Sequence, residues 1–137
     1  MYVPKGVVKE TVDEAVGRPG VSQIMEEMDR GWLKAEDPPT IISHEAEGIE
    51  PVDAEVISLA KSKDLPLLTN DRALARVARA HGVKPVWVST TPAECVRRHA
   101  LTRDEGQRLL VELVKAGLRI RSETLARIFE MLHETER

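Results

Sequence analysis

The sequence predicts an α/β domain with a parallel sheet, followed by a helical annex. Three observations carry that expectation. Short apolar runs at Leu65–Leu68 and Pro85–Ser89 stand between stretches with helical spacing, the alternation expected of parallel strands joined by crossover helices. Glycine and proline end the periodic stretches, at Gly17 with Pro19, at Gly31 and at Gly82. From Pro92 onward no strand pattern remains and the chain reads as helix. These features divide the chain into an α/β core over 1–91 and a helical extension over 92–137 packed on it.

Element by element, Val7, Val8, Val12 and Ala15 recur at helical spacing after Val3-Pro4 and predict a first helix that Gly17 and Pro19 stop. A second helix starts near Val21, with Val21, Ile24, Met25 and Met28 on its apolar face. Trp32–Glu36 reads as a short strand. Asp37–Pro51 holds three prolines and no steady period, so it reads as a loop with one turn of helix, a candidate rim for a site. Val56, Ile57, Leu59 and Ala60 form the core stripe of a helix from about Val52 to Lys63. Leu65–Leu68 is too short for a helix and suits a buried parallel strand. The helix behind it, Arg72–Ala80, is expected to bury Ala73, Leu74, Val77 and Ala78, with Gly82 just past its end. Pro85–Ser89 is the next strand and Pro92 to about His99 the next helix. Thr102 and Glu105 form a capping box for a helix to Ala116, stopped by Gly117. A last helix after Ser122 carries Leu125, Ile128, Phe129 and Leu132 as its apolar stripe.

Composition excludes several classes of function. No run of roughly 18 apolar residues exists to span a membrane, and the start lacks a signal-peptide pattern, so a cytoplasmic protein is expected. Cys95 is the single cysteine, which leaves no internal disulfide and no thiolate cluster; it reads as a small, partly buried residue. His44, His81, His99 and His133 show no metal-ligand spacing and read as structural. No glycine-rich phosphate loop is present. Aromatic residues make up 3% of the chain, too few for recognition through stacked bases, and Trp32 and Trp87 are expected in the core. Net charge is -3, but it is unevenly placed: residues 1–71 hold 7 Lys and Arg against 15 Asp and Glu, and residues 72–137 hold 13 against 8. An acidic front half beside a basic back half is either drift on solvated helix faces or an acidic metal cluster next to a rim for a polyanion.

The candidate chemistry lies at strand and helix ends, where ligands bind in open parallel sheets. Asn70 and Asp71 close the Leu65 strand, and Asp71 has two readings, as the cap of the helix that begins at Arg72 or as a ligand. Asp53 and Glu55 open the preceding helix, where the helix dipole alone also favours carboxylates. Glu10 falls close to the apolar face of the first helix, although pairing with Lys5 or Lys9 explains it equally.

The segments "VPKGVVKE", "DAEVISLAKSKDLPLLTNDRALARVARAHGV" and "LTRDEGQRLLVELVKAGLRIRSETLARIFEML" together resemble a PIN domain, the fold of VapC-type toxin ribonucleases, in the subgroup that ends in an extra helical pair. The resemblance covers nearly the whole chain and implies a three-layer α/β/α fold and metal-dependent cleavage of RNA by a cluster of acids. Carried over position by position, Glu10 matches the family's helical Glu, Glu55 the acid of its A-[DE]-x-x-x-x-A helix motif, and Asp71 the acid after the fourth strand. Asn70 and Asp53 are accessory. Mg²⁺ or Mn²⁺ is the implied cofactor, held by hard oxygen ligands. Arg72, Arg76 and Arg79, together with Arg97 and Arg98, are the expected phosphate-holding residues.

The family pattern opens on a hydrophobic strand that ends in an Asp central to the metal site, whereas this chain opens at Met1-Tyr2-Val3-Pro4, which matches the second strand. Roughly 30 residues, a usual strand-helix unit, are expected to be missing, and with them the centre of the family's 3-2-1-4-5 sheet. The strands at Tyr2-Val3 and Leu65–Leu68 then pair directly or something else fills the gap. The expectations are a weakened ribonuclease, membership of a toxin–antitoxin pair with an antitoxin protein as partner, and homo-oligomers that cover the exposed edges. The rival class is a catalytically inactive PIN-like module that binds protein or RNA.

Overall fold

Residues 1–10 and 20–135 are described by the structure, a computed structural model. They form two compact units: Met1–Leu67 with Asp71–Pro85, and Leu68–Asn70 with the chain from Val86 onward.

The first unit opens with strand β1 (Tyr2–Val3), which pairs in parallel with β2 (Lys34–Ala35), Tyr2 opposite Lys34 and Val3 opposite Ala35. The Lys34 and Glu36 amides donate to the Met1 and Val3 carbonyls at 2.8 and 2.9 Å. Helix α1 (Lys5–Val8) follows the buried Pro4, and the Lys5 amide, one of the donors a helix start leaves without an intrahelical acceptor, donates to the Asp37 carboxylate at 3.0 Å. The expected first helix is thus realised at its start; its Val12, Ala15, Gly17 and Pro19 lie outside the described residues.

Helix α2 (Val21–Asp29) buries Val21 and half-buries Ile24 and Met28, but Met25 is half exposed and does not join the apolar face. Gly31, at φ +78°, takes the left-handed turn that follows. Trp32 lies before β2 rather than within it and is 59% exposed, so it is not a core residue. The loop beyond contains one helical turn, α3 (His44–Glu47), capped by the Ser43 hydroxyl.

Helix α4 (Pro51–Lys63) starts with proline at its first position, where the missing amide costs nothing, and ends at Asp64. Strand β3 (Leu67–Thr69) starts two residues after, and ends one residue after, the apolar run that predicted it. Leu67 is 2% exposed, but Leu65 and Leu68 are 43% and 46% exposed, so one face of the strand is covered rather than two. β3 belongs to a two-stranded sheet with β4 (Pro85–Trp87), anchored by the Leu67 amide on the Lys84 carbonyl at 2.9 Å. β1 has β2 as its partner, and the direct pairing of Tyr2-Val3 with the Leu65 run does not occur. Helix α5 (Arg72–Ala80) buries Leu74, Ala75, Val77 and Ala78, with Ala75 in the place expected of Ala73. The first core gathers Ile57 from α4, Leu67 from β3, Leu74, Val77 and Ala78 from α5, and Val83. Burial of each large aliphatic side chain among these contributes about 1.5–3 kcal/mol.

In the second unit the expected Pro85–Ser89 strand stops at Trp87 and tightens into a 3₁₀ turn, Val88–Thr90, whose Thr90 and Thr91 hydroxyls both donate to the Trp87 carbonyl at 3.1 Å. Helices α6 (Thr91–Arg97), α7 (Arg103–Lys115) and α8 (Ser122–Thr135) then pack on one another. The Thr102–Glu105 capping box is formed in both directions. Ala93, Val96, Leu110, Ile128 and Leu132 fill the core between them. A Cβ at Gly106 would stand 2.5 Å from Val96 Cγ2, so glycine there is what lets α7 approach α6. Among the described residues, no helix is long and apolar enough to cross a membrane.

Candidate active site

Asp71 sits where β3 hands over to α5. Its Oδ1 accepts from the Ala73 and Leu74 amides at 2.8 and 3.3 Å, an N-cap. The structural reading of Asp71 is therefore realised. A cap also holds its carboxylate in one orientation, as a ligand role requires, so the two readings are compatible.

Asp53 lies in the first turn of α4, behind the N-cap residue Glu50 and Pro51. Its carboxyl is raised from its ordinary value, first by burial, then by the negative charge of Asp71 and that of Glu50, while a hydrogen bond donated by the Glu50 backbone pulls the other way. Two helix N-termini, those of α4 and α5, thus bring like charges close enough to sense each other. The acid coupled to Asp71 is the one the sequence placed as accessory, and Glu50 joins it. Its position ahead of the helix-starting Pro51 was the available signal for Glu50.

Glu55, two residues further along α4, faces α1: a Cβ built at Gly6 would stand 2.6 Å from its Oε2. That Oε2 is buried with no hydrogen-bond partner among the described residues. Glu10 is exposed at the end of the first described segment. Among the described residues no three His, Cys, Asp or Glu side chains gather as a metal-holding group. A Mg²⁺-type ion takes one or two carboxylates with water and substrate phosphates completing its shell, so the Asp53–Asp71 pair fits this kind of cation, whose charge would relieve their repulsion.

On the basic side, Arg72, Arg76 and Arg79 project along the exposed face of α5 at helical spacing. Arg97 and Arg98 are differently placed. Glu94 accepts from Arg97 Nε at 3.0 Å and from Arg98 Nε at 2.8 Å, and these contacts, Arg97 first, hold its carboxyl down to about 2. Both guanidiniums are engaged by one carboxylate. On the loop expected as a rim, Glu47 reaches His81 at the end of α5, Oε1 to Nε2 2.6 Å, joining loop and helix. Asn70, before Asp71, donates from Nδ2 to the Arg119 carbonyl at 3.4 Å.

The helices, short parallel strands and acids at two helix N-termini, one of them at a strand's carboxyl end, make this an α/β protein with its polar groups where such sheets bind ligands. The family model of the PIN domain matches residues 1–134, and the chain belongs to the PIN-domain family. No curated protein and no solved structure matches it.

Because Asn caps a helix about as well as Asp, Asp71→Asn is expected to leave stability within a few tenths of a kcal/mol, whereas Asp71→Ala loses about 1 kcal/mol. Urea unfolding of both variants measures this, and equal losses would remove the cap as the reason for the geometry. The shift of Asp53 has its own signature. A carboxyl whose folded pKa lies above its unfolded value adds stability while protonated and loses it as pH rises through the folded pKa. Asp53→Asn is therefore expected to gain stability over the parent progressively as pH is raised from about 3 to 7, across the carboxylate range. Thermal unfolding across that range tests the sign.

Proposed function

We propose that this PIN domain is a divalent-metal-dependent endoribonuclease whose acidic centre is built on Asp71 and Asp53, with Glu55 and Glu10 as further oxygen ligands. The observation that supports this reading is the placement of Asp71, fixed by its cap at the start of α5, and of Asp53 in the first turn of α4, within reach of each other's charge, in a chain of the PIN-domain family. Like charges kept together in a partly buried place are costly for the fold and useful for holding a cation. When bound, Mg²⁺ or Mn²⁺ supplies charge stabilisation at phosphorus-bound oxygens and an acidified water.

The protein's own residues do the rest. Asp71, fixed by its cap, presents a carboxylate whose direction does not depend on a flexible side chain. Asp53 supplies a second oxygen donor from the adjoining helix start. Asn70 positions a polar side chain next to Asp71 in the chain. Arg72, Arg76 and Arg79 hold RNA phosphates by charge, which sets affinity without reading sequence.

One observation favours a second reading. Among the described residues no three acids gather as a metal-holding group, which suits a module that binds RNA or protein without cutting it. Cleavage of single-stranded RNA in Mn²⁺ separates the two. The parent is expected to cut and Asp71→Asn to lose about 100-fold or more, since even residues that only support metal ligands cost 10–100-fold when removed. Equal background from parent and variant rejects the nuclease.

As a toxin ribonuclease the chain would take an antitoxin protein as partner and associate with a second copy of itself. The exposed Leu109, Val111 and Val114 of α7 offer apolar surface for such contacts. Sedimentation velocity is expected to give a mass that rises with concentration, and a single monomer boundary at every concentration excludes self-association.

A further inference from the structure

The loop between α7 and α8 carries two arginines that the sequence motifs did not single out. Burial alternates along it: Leu118 is half-buried, Arg119 exposed, Ile120 half-buried and Arg121 exposed. Ile120 packs against the Leu110–Ile128–Leu132 core, so the residues on either side of it are turned outward. Backbone contacts hold the loop along its length. The Leu118 amide donates to the Leu113 carbonyl at 2.9 Å, the Leu125 amide to the Arg121 carbonyl at 2.9 Å, and Asn70 Nδ2 to the Arg119 carbonyl. Neither guanidinium has a hydrogen-bond or ion-pair partner among the described residues, in contrast to Arg97 and Arg98, which share Glu94. Residues two apart span at most about 7 Å of chain, close to the step between successive phosphates of one nucleic-acid strand.

We infer that Arg119 and Arg121 form a preorganised clamp for two phosphates of single-stranded RNA, and that they, rather than Arg97 and Arg98, are the phosphate-binding residues of the helical unit. The inference rests on the ribonuclease reading and adds the surface that holds its substrate. Two features support it: the guanidiniums are uncompensated among the described residues, and the backbone beneath them is anchored. A charge already neutralised by a carboxylate releases little counterion when a phosphate arrives. An uncompensated one contributes fully, at about -0.7 in the slope of log K against log salt per contact with a single strand.

The test is fluorescence anisotropy of a labelled single-stranded RNA, in EDTA so that nothing is cut, titrated at several NaCl concentrations. The full chain is compared with Arg119→Ala/Arg121→Ala and with Arg97→Ala/Arg98→Ala. The first double variant is expected to bind more weakly and to have a slope shallower by about 1.4, the second to keep the parent slope. A parent-like slope in the Arg119/Arg121 variant, or an equal loss in both variants, overturns the clamp while leaving the ribonuclease reading intact. A parent that binds no RNA in EDTA overturns the clamp, while the ribonuclease reading stands or falls on cleavage in Mn²⁺. In a parallel titration with labelled poly-glutamate, loss of binding in the Arg119→Ala/Arg121→Ala variant with RNA binding unchanged assigns the loop to an acidic protein and also overturns the clamp.

Discussion

Two hydrogen bonds, from the Ala73 and Leu74 amides to the Asp71 carboxylate, set the point at which strand becomes helix. Much of the first unit depends on that point. It starts α5 in the register that turns Leu74, Ala75, Val77 and Ala78 toward the core and Arg72, Arg76 and Arg79 toward solvent. A start one residue later would rotate the helix by about 100° and exchange much of one face for the other. The cap also fixes a negative charge at the strand end, where Asp53 senses it from the neighbouring helix start.

Charge is distributed in two distinct ways in this chain. Some pairs are closed: Glu94 with Arg97 and Arg98, Lys63 with Glu36, Arg30 with Glu26 and Glu27. The Lys63 ammonium also lies over the Tyr2 ring, 4.2 Å from its centre, so this pair ties the end of α4 to β1 and β2. The Asp53–Asp71 pair is the opposite kind, like charges held together, and Glu55 adds a buried oxygen without a hydrogen bond among the described residues. Both arrangements work against the fold, the first by like-charge repulsion and the second by leaving a buried acceptor without a donor.

Local signals in the sequence were legible wherever the physics was local. The Thr102–Glu105 box, the helical turn within the loop after Asp37, the stop at Gly82 and the Leu125–Leu132 stripe were readable because a cap, a left-handed turn or a 3.6-residue period lies within a few neighbouring residues. The cap at Asp71 was legible for the same reason. What failed depended on residues far away in the chain. Met25 kept the period of α2 yet stayed exposed, and Trp32 ended outside its strand. Leu65 and Leu68 looked buried on both faces because an apolar run does not state how many of its faces will be covered. The surroundings of the acids were likewise out of reach of the sequence: Glu55 packs its carboxylate against Gly6, and Asp53 lies within the influence of the Asp71 charge.

The sequence by itself determined the order of helices and strands, the change to an all-helical second part, the cap at Asp71 and the resemblance to the PIN domain, since each rests on spacing along one stretch of chain. Tertiary structure decided which strands pair, which carboxylates share a charge environment and which arginines remain uncompensated. Those outcomes depend on distances between residues tens of positions apart. Spacing along the chain does not encode such distances, because they are set only when helix faces and strand edges meet their partners.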